Sequence, residues 1–394
     1  MNIRFVFFFY LLFLSPLLLG QSQSWRVEIS LNDRLQLPFF LHKTIDNAYV
    51  VVNGSEEIKL GDLTKGKDTI ELQFIEMDSY LRFTYDDSMN VRGYWKDKKG
   101  RLYPLTGILG NHSRFESSTI DLSEKVFGSY EVTFGNKKGT WPAVGLFEQR
   151  EELVTGTFLT ETGDYRFLEG NVFGNQLYLS CFDGAHAFVF TAKINGDTLN
   201  GFFYSGSSYS TPWKGIRNEN AKIGDPDSLT YIVAHNHDLS KIQFRSLRGF
   251  KKRIDYSKNR LTILQIMGSW CPNCLDETNY FKEIYPIYKE NGLEIIALGF
   301  ESQNSRRKRR KHLKKFKQKA SIPYETYLGG KASKKEASKK FYMLNGISSF
   351  PTTLFVNSKG EIIHIHTGFY GPGTGIYYQQ YKKQTGALIE SLLY

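Results

Sequence analysis

The side chains of this 394-residue chain best equipped for chemistry are Cys271 and Cys274, separated by Pro272 and Asn273 and preceded by Trp270. A Cys-x-x-Cys pair can pass between dithiol and disulfide, with a thiolate as the attacking group. A structural zinc site needs two further ligands at matching spacing, and the one other cysteine is Cys181. Cys181 lies in a strand-like apolar run and reads as a buried structural thiol. His235-Asn236-His237-Asp238 reads as a surface turn. His364 and His366, two apart on one strand face, read as structural, so no metal is expected.

The elements that must position the pair are legible around it. Leu261, Ile263, Leu264 and Ile266 have the composition of a strand buried on both faces, and Gly268-Ser269 breaks it. Pro272 suits the first turn of a helix, where its missing N–H costs nothing. Cys271 then sits at a helix start, where free N–H groups and the helix dipole favour a thiolate. The spacing of Leu275, Tyr280, Phe281, Ile284, Tyr285 and Tyr288 predicts a helix to about Glu290, kinked at Pro286 and ended by Asn291-Gly292. Leu293–Phe300 is the next buried strand. Alternating strands and helices from about Thr230 onward predict an α/β sheet domain. Phe350-Pro351 leads into a strand, Thr352–Val356, and a hairpin to Glu361–Thr367. Gly368–Gly375 lacks the Lys-Ser/Thr ending of a phosphate loop and reads as the turn into a last helix.

These motifs resemble the thioredoxin superfamily, and over about Asp238–Tyr394 its TlpA-like thiol–disulfide oxidoreductases. The markers are Trp270-Cys271-Pro272-Asn273-Cys274, Glu277, Phe350-Pro351-Thr352-Thr353 and the Gly368–Gly375 turn. A peroxiredoxin would carry Thr where Gly268 stands. The resemblance implies a thioredoxin fold over residues 230–394, with Cys271 as nucleophile and Cys274 as resolving thiol. It implies a cis proline at Pro351 facing the pair, with Trp270, Phe350 and Pro351 in contact with substrate. Thioredoxins keep a buried Asp six residues before the first cysteine. Gln265 stands there and cannot take a proton. Some TlpA-like reductases use an acid at the offset of Glu277, which makes Glu277 the expected proton acceptor for Cys274 and Asp276 the lesser candidate. No dissociable cofactor is implied beyond the Cys271–Cys274 disulfide.

The rest of the chain differs in character. Residues 1–20 carry Arg4 and an apolar run from Phe5 to Leu19, the pattern of a secretory signal. Residues 25–216 read as all-β, a sandwich or barrel, from alternation such as Ile70, Leu72, Phe74 and Leu81, Phe83, Tyr85 and from frequent turn signals. A break near residues 107–119 is expected to divide this region into two halves, and residues 217–229 form a polar linker. Aromatic residues are abundant, with 30 Phe and 24 Tyr, and 16 of the Phe lie in this β-rich half. Arg306–Lys319 holds ten Lys or Arg and no acid, close to the whole formal charge of +11. It fits a helix resting Leu313, Phe316 and Ala320 on the sheet, its other faces solvated or turned to anionic lipid or an acidic partner. An exported chain has no use for nucleic acid.

The expected protein is thus an exported thiol–disulfide oxidoreductase of the periplasm or cell envelope of a Gram-negative bacterium. The reducing branch is favoured by Glu277. By resemblance its substrates are apocytochromes c or other exported cysteine proteins, and its electron donor a membrane thiol transporter. Two other readings stand beside it: an envelope binding protein whose β-rich half is the functional part and whose redoxin half is regulatory, and a disulfide-forming oxidase.

Overall fold

The structure, a computed structural model, describes residues 22–65, 69–75, 77–116, 124–137, 139–235 and 238–394. The expected signal (1–20), part of the expected break (117–119), and Asn236 and His237 of the histidine cluster lie outside the described residues.

The β-rich half consists of two sheets that each curl onto themselves. Strands β1 (Gln23–Asn32), β2 (Leu35–Lys43), β3 (Tyr49–Asn53), β4 (Glu56–Lys65), β5 (Thr69–Phe74), β6 (Tyr80–Tyr85), β7 (Asn90–Lys96) and β8 (Leu102–Leu109) form a closed antiparallel barrel, completed by β1 against β8. Alternation produces its core: Trp25, Val27, Ile29 and Leu31 of β1 are buried, and Leu81 and Phe83 of β6 are buried on either side of exposed Arg82.

The second sheet contains β9 (Gly128–Asn136), β10 (Gly139–Arg150), β11 (Leu153–Thr160), β12 (Gly163–Asp164), β13 (Leu168–Phe173), β14 (Gln176–Phe182), β15 (Ala187–Asn195), β16 (Thr198–Ser205) and β17 (Tyr209–Arg217). Its order is β10-β9-β17-β16-β15-β14-β13-β11-β12, and an added β10–β11 ladder joins it back on itself. The sandwich alternative is therefore not realised; closure satisfies strand edges that a sandwich would leave open. Aromatic rings fill the interior. Phe158 stacks on Phe190 at 4.8 Å and Phe190 on Phe203 at 4.5 Å, geometry that adds to the burial of the rings. Cys181 is fully buried here. Arg114, between the two sheets, is buried and donates to Val52 O (3.2 Å), Asn53 Oδ1 (2.7 Å) and Ser180 Oγ (2.8 Å), with Glu169 at 3.2 Å.

The C-terminal half is a seven-stranded mixed sheet, β19-β18-β22-β21-β20-β23-β24. The strands are β18 (Gln243–Ser246), β19 (Lys251–Arg253), β20 (Leu261–Met267), β21 (Leu293–Glu301), β22 (Glu325–Lys331), β23 (Thr352–Asn357) and β24 (Ile362–Thr367). The helices are α1 (Pro272–Tyr288), α2 (Arg306–Lys319), α3 (Lys334–Lys340) and α4 (Ile376–Leu393). Parallel β20–β21 and β21–β22 pairs are bridged by α1 and α2, as parallel neighbours require a crossover. All seven residues of β20 are buried. Leu261, Ile263 and Met267 meet α1, α2 and α4, while Leu264 and Ile266 meet the layer around Phe341 and Met343. Pro286 lies inside α1, and Gly292, with φ of 100°, ends the turn that follows it. α2 buries Leu313 and Phe316 and leaves most of its cations in solvent.

Residues 217–229 begin on the β-rich half, where Arg217 ends β17 and Asn218 N donates to Ser129 O at 2.9 Å, and reach the C-terminal half at their far end, where Asn345 Nδ2 donates to Leu229 O at 3.1 Å. Asp227 lies 2.6 Å from His366 Nδ1 and 3.3 Å from His364 Nε2. The two histidines of β24 thus meet a carboxylate of the connecting segment. Among the described residues no helix is long and apolar enough to cross a membrane.

Candidate active site

β20 ends at Met267, Gly268 and Ser269 turn the chain, and α1 begins at Pro272. Gly268 is needed for close approach, since a Cβ there would lie 2.4 Å from the Trp270 indole. Cys271 is the N-cap of α1, with extended backbone, and its Sγ accepts from the Cys274 N–H at 3.2 Å. In the reduced form that donor and the helix dipole favour a thiolate on Cys271. In this structure Cys271 and Cys274 are joined as a disulfide. Cys271 retains 8% exposure and Cys274 none, so the first sulfur is the one an incoming group can reach.

The Phe350–Pro351 bond is cis. Phe350 O lies 3.5 Å from Cys271 Sγ. The half-buried Trp270 packs edge-on against Phe350 at 5.6 Å and donates its indole N–H to Phe300 O at 2.8 Å. Phe350 O and Trp270 therefore lie beside the reachable sulfur, with the cis Pro351 next in the chain.

Glu277 is fully buried on α1, one helical turn beyond Cys274. Its Oε2 accepts from Gln265 Nε2 (2.9 Å), and its Oε1 accepts from Thr353 Oγ1 (2.8 Å) and Tyr381 OH (3.2 Å). Burial pushes the carboxyl up to about 7, against the pull of Gln265, Thr353, His366 and Tyr381. Such a group exchanges a proton readily near neutrality. Gln265, which cannot take a proton, holds Glu277 in place: its amide also donates to Cys274 O at 3.1 Å, and its oxygen accepts from Thr278 Oγ1 at 3.0 Å.

Asp276 belongs to another network. As the second residue after Cys274 it points away from Cys274's face of the helix, and its carboxylate pairs with Arg166 of the β-rich half. Arg166, also buried, meets Glu56 of the first barrel at 2.5 Å and Asp183 of the second sheet at 3.4 Å. Burial raises Asp276 to about 7 even beside this cation, because Asp164 and Glu56 add negative charge. The lesser candidate base is thus a clasp between the halves.

Several contacts around the cysteines had no sequence signal. The turn at residues 160–164 abuts the C-terminal half: Ser349 Oγ donates to Thr162 O (3.3 Å), Tyr370 OH to Thr160 O (3.1 Å) and Gly371 N to Asp164 Oδ2 (2.6 Å). Gly163 and Gly368 have φ of 149° and 82°. A Cβ on Gly163 would meet Asn273 Nδ2 at 2.7 Å, and one on Gly368 the Thr162 backbone at 2.6 Å. On the other side, Lys98 reaches Trp270 O at 3.4 Å and lies 5.8 Å from the Trp270 ring. Glu301, buried at the end of β21, accepts from Ser269 N (3.1 Å) and Oγ (2.6 Å). His312 of α2 joins Glu301 (3.7 Å) to Asp78 of the first barrel (3.0 Å).

Residues 251–376 match the Redoxin family model. Among curated relatives, the thiol-disulfide oxidoreductase ResA of Geobacillus kaustophilus is 26% identical over 124 residues, which is 31% of this chain and 63% of the relative. ResA of Halalkalibacterium halodurans is 28% identical over 137 residues, 35% of this chain and 65% of the relative. The chain thus spans just under two thirds of the length of these relatives. Similar solved structures include the thioredoxin domain of a thiol-disulfide oxidoreductase from Bacteroides vulgatus, at 18% identity, 38% of this chain, 98% of that chain and a TM-score of 0.29. StoA from Bacillus subtilis is 20% identical, over 40% of this chain and 96% of that chain, with a TM-score of 0.26. The C-terminal part of the chain carries a Redoxin domain.

Proposed function

We propose that this chain is an exported thiol–disulfide oxidoreductase working in the reducing direction on disulfides of extracytoplasmic proteins. The observation that carries the reading is the pairing of a reachable helix-capping sulfur, Cys271, with a buried Cys274 one turn from a carboxyl that titrates near neutrality. In the reduced form the Cys271 thiolate attacks one sulfur of a substrate disulfide, that S–S bond breaks, and the other substrate sulfur leaves as a thiolate. Phe350-Pro351 and Trp270 hold the substrate chain beside the mixed disulfide. Cys274 gives its proton to Glu277 and attacks Cys271 Sγ. The Cys271–Cys274 disulfide forms, and the second substrate thiolate leaves, taking a proton from Glu277 or water. Two electrons pass to the substrate, and a membrane thiol donor returns two to the pair. Apocytochromes c and other exported cysteine proteins are the substrates the family likeness suggests.

The test has two parts. Cys271→Ser should abolish exchange, while Cys274→Ser should trap a mixed disulfide that survives non-reducing electrophoresis; full turnover by Cys274→Ser would sink the scheme. The equilibrium reduction potential should lie near or below about −250 mV, as for thioredoxin. A value near about −120 mV would mark a disulfide-forming oxidant instead.

A further inference from the structure

The cysteine pair does not stand on a free redoxin surface. On one flank the turn at residues 160–164 seals against Asn273, Ser349 and Gly368, through the Ser349–Thr162 bond and the two glycine approaches. On the other flank stands Lys98, an exposed side chain from the β-rich half whose ammonium lies over the residue preceding Cys271. Beyond Lys98, the His312–Asp78 and His312–Glu301 contacts bring α2 to the same end of the sheet. Glu301 itself holds Ser269, two residues before Cys271. Arg306, Arg307, Lys308 and Lys311 on the first turns of α2 are exposed.

The acids of this region are already engaged. Asp78 is with His312, Asp97 with Arg101 at 2.7 Å, Glu301 with Ser269, Asp276 with Arg166, and Asp183 with His186 at 3.0 Å and Arg166. Glu301, Asp97 and Asp183 are also buried, so on the open flank the exposed side chains of Lys98 and the first turns of α2 present positive charge to solvent. A cationic approach with a closed opposite wall selects what can enter, by raising the local concentration of oppositely charged partners.

We propose that Lys98 and the exposed cations at the start of α2 line the approach to Cys271, and that the segment entering it is an extended, disulfide-bearing polypeptide with acidic residues beside its cysteine. This rests on the oxidoreductase reading and names its substrate class. Acidic side chains meet Lys98 and α2 while the peptide backbone lies along Phe350-Pro351, and the β-rich half becomes part of the substrate site.

The test uses the full reduced chain and two synthetic peptides, each closed by one disulfide and identical except for Asp/Glu or Lys/Arg beside the cysteines. Uncharged 2-hydroxyethyl disulfide is the reference. At low ionic strength the acidic peptide should exchange at least about tenfold faster than the basic one. That advantage should collapse near 1 M salt, where screening acts over about 3 Å. Lys98→Glu should cut the acidic-to-basic rate ratio at least about fivefold. Lys308→Glu with Lys311→Glu, on an exposed helix face, provides a second variant with the same expectation. A ratio near one, or a ratio that ignores salt and both variants, overturns the inference while exchange with the reference disulfide upholds the redox reading. Sedimentation of the chain with phosphatidylglycerol vesicles, combined with a ratio near one, would assign the cationic face to a membrane and overturn it too. No exchange with any of the three disulfides would overturn both readings.

Discussion

Replacing Glu277 by Gln should remove a pH-dependent loss of stability from the Redoxin domain and slow it as a catalyst. The carboxyl titrates at about 7 in the folded chain, against an ordinary value of 4.5, because it is buried. A raised carboxyl stabilises the fold fully below pH 4.5, where it is protonated in both states. Between 4.5 and about 7 the folded form must hold a proton that the unfolded form has released, so stability falls as pH rises. That gap, at about 1.36 kcal/mol per pH unit, amounts to about 3 kcal/mol lost by pH 8. The glutamine variant carries no such loss. It keeps an oxygen for Thr353 and Tyr381 but sets its amide against that of Gln265, so its curve starts lower, by about 1–3 kcal/mol for the mismatched pair, and then runs flat. The measurement is hydrogen exchange of the β20 amides, corrected for intrinsic rates, on oxidised wild type and variant from pH 4.5 to 8.5. The difference between the two should change by about 3 kcal/mol across that range. Disulfide exchange at pH 7 should fall by about a hundredfold, the low end for a lost general acid–base group, with mixed disulfide accumulating. Parallel stability profiles would refute the argument, since they would mean that Glu277 ionises as an ordinary exposed carboxyl does.

Two further changes probe the joint between the halves. Arg166→Met strands Glu56, Asp183 and Asp276 without their shared cation; the expected cost is about 3–5 kcal/mol at pH 8. It should shrink at pH 5, where Asp276, at about 7, is neutral, and equal shifts in melting temperature at both pH values would contradict this. Gly163→Val places a Cβ 2.7 Å from Asn273 Nδ2 at a φ of 149°. The 160–164 turn should lift from the C-terminal half, and trypsin should cut the 217–229 segment several-fold faster; an unchanged digestion rate would mean that this contact does not hold the halves together.

The part of the site written in local sequence was legible: an apolar run became the buried β20, and Pro272 after Cys271 placed that cysteine at a helix cap. The family likeness supplied Pro351 and Glu277. The partners of Glu277 were not visible, because Thr353 and Tyr381 reach it from 76 and 104 positions away, and no local pattern records which strand and helix will converge. For the same reason Asp276 read as a candidate base, since its tie to Arg166 crosses 110 residues. Alternation identified β-strands in the first half but not their closure, because the β10–β11 ladder that joins the second sheet back on itself follows from twist and register. Gln265 read as a lost base. In the fold it donates to both Glu277 and Cys274 while accepting from Thr278, a combination that an ionised carboxylate, which can only accept, cannot make.

The outermost strand of the seven-stranded sheet, β19, has a consequence for behaviour in crowded solution. It is three residues long, Lys251-Lys252-Arg253, and every one is exposed. An unpaired sheet edge is a template on which a second chain can add a strand, and a brief edge carrying three like charges repels its own copy. With the β-rich half curled onto itself, this margin is a place where runaway strand-to-strand association would begin, and its lysines and arginine act as a guard against aggregation.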